Sequence, residues 1–83
     1  MDEWTEGKQR FTELVRGIDS AVTVVIPTRP AAGMFLIGLA RGKAKKFVSL
    51  PEDDLIDLVE DHAIETAVLA TIRDAMRELS AAG

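Results

Sequence analysis

The run from Met34 to Leu50 constrains this chain most. An uncharged stretch, Met34-Phe35-Leu36-Ile37-Gly38-Leu39-Ala40, leads into Arg41-Gly42-Lys43-Ala44 and then Lys45-Lys46-Phe47-Val48-Ser49-Leu50. Two strand-forming runs on either side of a glycine-containing turn read as a β-hairpin. A two-residue type II′ turn at Gly42-Lys43 suits the glycine, which takes the positive φ at the first turn position. That turn sets the register: Phe35 faces Leu50, Ile37 faces Val48 and Leu39 faces Lys46. One face of the pair is then Phe35, Ile37, Leu39, Val48 and Leu50, the expected core. The other is Met34, Leu36, Gly38, Ala40 and Phe47, with the Phe47 ring opposite Gly38, an arrangement that stabilises sheets. A half-solvated strand alternates polar and apolar residues, so a strand apolar on both sides is expected to be covered on both.

The flanks supply the cover. Residues 2–16 read as an amphipathic helix with Trp4, Phe11, Leu14, Val15 and Ile18 on one stripe. Gly7 weakens its middle by about 1 kcal/mol relative to alanine, and Gly17 is a natural stop. Residues 21–26 form a β-branched strand that ends at Pro27. Residues 27–33, with two prolines and a glycine, form a loop. After strands at 34–40 and 45–50, Ser49 with Glu52 matches a capping box, and Pro51 suits a first helical turn. Leu55, Ile56, Val59 and Ala63 lie on one side of the helical wheel. Val68, Ile72, Ala75, Met76 and Leu79 lie nearly opposite, so one straight helix cannot bury both sets. A break between Asp61 and Glu65 gives helices at about 51–61 and 64–80, with 80–83 frayed.

The expectation is a single α+β domain over residues 1–83: a helix, a three-stranded antiparallel meander and two helices (α-β-β-β-α-α). With 83 residues the chain buries only ~60% of its unfolded surface. Three helices on one sheet face would leave Met34, Leu36 and Phe47 in water, with Val25 and Thr23 beside them. Either the helices divide between the faces or a second subunit covers the patch, and a homodimer is the expected answer. There is no cysteine, so no disulfide framework or thiolate site. The N-terminus lacks the charge pattern of a secretory leader. No apolar run approaches the ~18 residues that cross a bilayer. A cytoplasmic protein with no membrane contact is expected.

Two clusters carry charge. Arg41, Lys43, Lys45 and Lys46 put four of the ten basic residues at the hairpin tip, where phosphates are the obvious ligand. Lysines at a strand end also keep an edge from pairing with strangers. The net charge of −4 argues against a general nucleic-acid coat. Glu52, Asp53, Asp54, Asp57, Glu60 and Asp61 make an acidic helix. Acids near a helix start are stabilised by its dipole, so no metal is assigned. His62 is the only histidine, and no nucleophile has a second and third partner in view. No catalytic residue, cofactor or enzymatic activity is expected.

Residues 45–79 resemble the ribbon-helix-helix DNA-binding family: Lys45 to Glu52 looks like its strand entering a proline-started helix, and Val68 to Leu79 like its second helix. That resemblance implies strands paired across a dimer, with Lys45, Phe47 and Ser49, or Lys46 and Val48, reading the major groove. It covers under half of the chain and departs from the family at the Asp61-His62-Ala63-Ile64 turn. Lys45 to Leu58 is similar to the strand-to-helix junction of single-stranded-DNA-binding coactivator domains. The chain is identified with neither. Two functions stay open: a non-enzymatic module that binds DNA through the basic tip as a homodimer, or a protein-interaction module (adaptor, inhibitor or complex subunit) that uses the apolar sheet face or the acidic helix.

Overall fold

The computed structural model describes residues 4–82. In chain order these form α1 (Thr5–Ile18), β1 (Thr23–Val25), β2 (Met34–Arg41), β3 (Ala44–Pro51), α2 (Glu52–Asp57) and α3 (His62–Ala82). The order is α-β-β-β-α-α, an α+β fold. The strands make one antiparallel sheet, β1-β2-β3, with β2 in the centre.

The hairpin has the expected register, with Phe35 opposite Leu50, Ile37 opposite Val48, Leu39 opposite Lys46 and Gly38 opposite Phe47. Gly42 carries the positive φ, 58°, at the first turn position. A second reversal precedes β2. Ala31 and Met34 exchange both backbone hydrogen bonds, at 2.9 and 3.0 Å, around Ala32 and Gly33 at φ 52° and 78°. Two positive φ values mark a type I′ turn, and an alanine held there costs about 1 kcal/mol.

The core forms where the helices meet one side of the sheet. Phe35, Ile37, Leu39, Val48 and Leu50 are all buried, against Phe11 and Val15 of α1, Leu55 of α2, Leu58, and the Val68, Ile72, Ala75, Met76 and Leu79 stripe of α3. Trp4 closes one end, its ring edge-on to Phe35 at 5.6 Å between centroids. Lys8 spans the same corner, its ammonium 5.5 Å from the Phe35 ring and donating to the Thr28 carbonyl at 3.0 Å.

Several boundaries differ from the sequence reading, each for a local reason. Helix α1 runs through Gly17 to Ile18, since nothing at Gly17 demands a left-handed turn; Asp2 and Glu3 lie outside the described residues. Gly7 is a buried contact point, because a Cβ there would sit 2.0 Å from the Leu55 carbonyl oxygen. Only Thr23–Val25 of the 21–26 run pairs with β2. The capping box at Ser49 does not form. Pro51 still belongs to β3, and the Glu52 N–H donates to the Gly33 carbonyl at 2.9 Å. Helix α2 stops at Asp57, so the break falls at 58–61, earlier than the expected 61–65. Leu58 then takes the buried place expected for Val59, which is exposed. Asp61 caps α3, its carboxylate accepting from the Ala63 N–H at 2.9 Å. Helix α3 continues to Ala82.

The sequence leaves two ways to cover the second sheet face, divided helices or a second subunit. The helices do not divide between the faces. All three pack on the Phe35 side, and the other side of the sheet carries none.

Candidate interaction surface

The uncovered face follows from strand pleating. Side chains alternate along β2 and β3, so every residue opposite in sense to Phe35 and Val48 points away from the helices. Val25 of β1, Gly38 of β2 and Phe47 of β3 form one cross-sheet row, with Leu36 and Met34 in the next rows. Their exposures are 59% for Val25, 54% for Leu36, 51% for Phe47 and 37% for Met34. Together they form an apolar patch on the side of the sheet that carries no helix. It is partly self-covered. A Cβ on Gly38 would lie 3.4 Å from the Phe47 ring, so the ring rests on the glycine, and the Lys45 ammonium sits 5.2 Å from the ring centroid.

The same alternation divides the four tip cations. Arg41 and Lys46 share the helix side. Arg41 lies 3.5 Å from the Asp19 carboxylate and donates to Ser80 Oγ at 3.4 Å. Lys46 lies 2.9 Å from Glu78 of α3. Lys45 points to the open face, over Phe47. Lys43 stands at the turn with no ion pair among the described residues. Residues adjacent in sequence are therefore sent to opposite sides of the sheet, and two of the four meet acids. Asp19 serves twice, since its other carboxylate oxygen accepts from the Ala21 N–H at 2.9 Å. The distant partners Asp19, Glu78 and the Ser80 hydroxyl carry no signal in the sequence; the packing of α3 along β3 brings Glu78 and Ser80 there, and Asp19 comes from the C-terminal end of α1.

The free edge of the sheet is the third surface. In a two-residue hairpin the residues flanking the turn, Arg41 and Ala44, form the first hydrogen-bonded pair, and alternate pairs follow. Two bonds outside the ladder agree with that phase. The Glu52 N–H to Gly33 carbonyl bond extends it, and Met34 directs both its backbone groups at Ala31. Lys46, Val48 and Leu50 thus aim their backbone groups at β2. Lys45, Phe47 and Ser49 aim theirs outward, along an edge eight residues long. Beside this edge runs a groove of about 250 Å³, floored by Val48 and Ala75 and walled by Lys46, Thr71, Asp74 and Glu78.

The acidic residues are less concentrated than their spacing implies. Because α2 ends at Asp57, Asp61 leaves the face shared by Asp54 and Asp57 and caps α3 instead. No cluster of three or more acidic or histidine side chains among the described residues is placed to hold a metal ion. His62 projects into solvent, 3.5 Å from Glu65. No helix among the described residues is long and apolar enough to cross a membrane.

The sequence matches no family model, and neither a curated protein nor a solved structure shows significant similarity to it. The ribbon-helix-helix resemblance also meets a structural difference. The inner edge of β3 is paired with β2 of its own chain, which leaves only its outer edge for another strand.

Proposed function

We propose that this protein is a small non-enzymatic binding module that works through protein–protein contacts, with the open sheet face as its working surface. One observation carries the reading: Val25, Met34, Leu36 and Phe47 stand in water on a face without helices, while Arg41 and Lys46 are held by acids. Self-association through this face, as a homodimer, is the simplest use of it. The face is at most three strands wide and eight residues long, roughly 400 Å² in plan. That falls short of the ~800 Å² per partner of a standard interface. The core is closed without a partner, so the dimer is a weak, reversible one rather than a condition of folding.

The alternative is duplex DNA held at the hairpin tip. Lys43 and Lys45 favour it, since neither pairs with an acid among the described residues. It requires Arg41 and Lys46 to leave Asp19 and Glu78 for phosphates, on a chain of net charge −4. The acidic α2 is a further protein-facing surface, but its carboxylates border no exposed apolar patch as large as the open face.

A paired experiment separates the readings. Sedimentation velocity across the micromolar to millimolar range should show reversible dimerisation, and Leu36→Lys should abolish it while the monomer stays folded. Fluorescence anisotropy with a mixed-sequence duplex at low salt should show no binding that depends on Arg41, Lys43, Lys45 and Lys46. A strictly monomeric wild type, together with salt-sensitive DNA binding lost on replacing those four residues by alanine, would give the function to the tip.

A further inference from the structure

Charge divides this molecule by layer. From Ser20 to Pro51, the stretch that holds all three strands, there is no aspartate or glutamate, and there are five cations: Arg29, Arg41, Lys43, Lys45 and Lys46. Every acid among the described residues lies in the helices or in the turns that flank them. The net charge of −4 therefore belongs to the helix layer, while the sheet layer is positive. Arg41 and Lys46 turn back to Asp19 and Glu78 on the helix side. Lys45 stays on the open face beside Phe47, with Lys43 at the turn beyond it. The open face is thus an apolar surface with a cationic end at the hairpin tip.

We infer that the open face docks one amphipathic helix of a partner protein, laid along β2, with acidic residues flanking its apolar stripe and meeting Lys45 and Lys43. This rests on the open face being the working surface, and it names the class of partner. The first support is area. The face is ~26 Å long and ~14 Å wide, about half of what a folded partner normally buries. A helix is about 10 Å across and spans that length in about 17 residues, so a single helix covers the face. The second support is the pattern of β2, apolar on both sides as in strands that have helices on both faces. Its own three helices fill one side only.

Other occupants fit the face less well. A second copy has no helix free for the place. Outside the sheet, the exposed large apolar side chains among the described residues are Ile18 and Val59, one at the end of α1 and one after α2. The strands of a second copy bring apolar area but no acid for Lys45. Self-association through this face is therefore weak, and an acidic helix displaces it. An anionic bilayer recruits proteins through about four to eight clustered basic residues. Here Lys43 and Lys45 are the two at the open end, and a plane of negative charge repels a chain of net charge −4. A narrow acidic helix meets only the positive layer.

The test uses the isotope-labelled whole chain and two synthetic peptides. One is acetyl-Glu-Leu-Ala-Glu-Leu-Leu-Glu-Ala-Leu-Ala-Glu-Leu-Leu-Glu-Glu-Leu-Ala-amide, and the other has Lys at every Glu. Binding is followed by NMR at the amides of Val25, Leu36, Gly38 and Phe47. The Glu peptide should bind there, and the Lys peptide roughly tenfold more weakly. Net charge alone predicts the reverse order. Lys43→Glu with Lys45→Glu should reverse the preference at these amides; should that pair disturb the fold, Lys43→Ala with Lys45→Ala should remove it. Lys46→Ala, on the helix side, should leave the affinity for the Glu peptide within about twofold. Leu36→Ser should weaken both peptides. Shifts centred elsewhere, equal affinity of the two peptides at the face, or binding unmoved by Leu36→Ser and by the lysine changes would overturn the inference. Absence of peptide binding at millimolar concentration would overturn it as well, while self-association lost in Leu36→Lys would still stand as the use of the face. A chain that neither self-associates nor binds either peptide loses both readings. Co-sedimentation with vesicles of equal phosphatidylcholine and phosphatidylglycerol, without binding of the Glu peptide, would give the face to a membrane instead.

Discussion

Leu36 and Ile37 are neighbours with nearly the same side chain, yet one stands half in water and the other is wholly enclosed. The same contrast runs the length of β2 and β3. On the covered face Phe35, Ile37 and Leu39 meet three helices. On the open face the Phe47 ring rests on Gly38 beneath the Lys45 ammonium, and Val25, Met34 and Leu36 face away from the helices. Hydrophobicity alone does not separate the faces. What separates them is where α1, α2 and α3 can reach, and all three reach the same side. Apolar side chains left over after the core is closed are available for a partner, whereas those inside it are committed to stability.

Substitution across the two faces tests this most strongly. Phe35→Ala should cost about 3–5 kcal/mol, because it leaves a cavity among fully buried neighbours. Leu36→Ala should cost less than about 1 kcal/mol in the dilute monomer. Urea unfolding measures both, read from the midpoint at unchanged slope. Similar losses at the two positions would mean that the open face is packed after all, and would remove the basis for the proposed interaction surface.

The glycines of α1 sharpen the contrast on the covered side. In an exposed helix interior, replacing glycine by alanine stabilises by about 1 kcal/mol, and Gly17, in the last turn of α1 with nothing within 4 Å of its added Cβ, should show a smaller gain of the same sign. Gly7 should show the opposite sign. Its Cβ would press into the Leu55 backbone at 2.0 Å, and the helices would have to part, at a cost of about 1–3 kcal/mol. Thermal unfolding of the two single variants should therefore move in opposite directions. A gain at both sites would show that α1 and α2 do not touch as closely as the structure has them.

The smallest expected effect lies among the cations. Lys46→Ala removes a partly solvated pair with Glu78 and should cost about 0–1 kcal/mol, fading with added salt. Lys45→Ala, on the other face, should show little salt dependence, since its contact is with the Phe47 ring.

Much of the fold was legible from residue order. Gly42 with its flanking strands determined the hairpin and its register, because a two-residue turn leaves no freedom in the pairing. The core faces of β2, β3 and α3 followed from their periods of two and 3.6 residues. The phase change near Asp61 required a break, although its place shifted by a few residues. At the start of α2, Pro51 stays in the strand and the Glu52 N–H donates to the Gly33 carbonyl, a contact between distant segments; at its end, Asp61 lies outside α2 and caps α3. The fourfold cation cluster was legible as composition but not as a surface, since alternation sends Arg41 and Lys46 one way and Lys45 the other.

Local chemistry, then, decided which segments are strands and helices, how the hairpin pairs and which side chains are apolar together. Turn geometry and side-chain periodicity act over a few residues, and a few residues are what a sequence displays directly. Only the tertiary structure decided that all three helices share one side, that Gly7 must stay bare beneath Leu55, that Asp19 and Glu78 hold two of the tip cations and that α3 lies along β3 to form a groove at its free edge. These are contacts between segments far apart in the chain. They depend on the helices' packing angles, which no local pattern encodes.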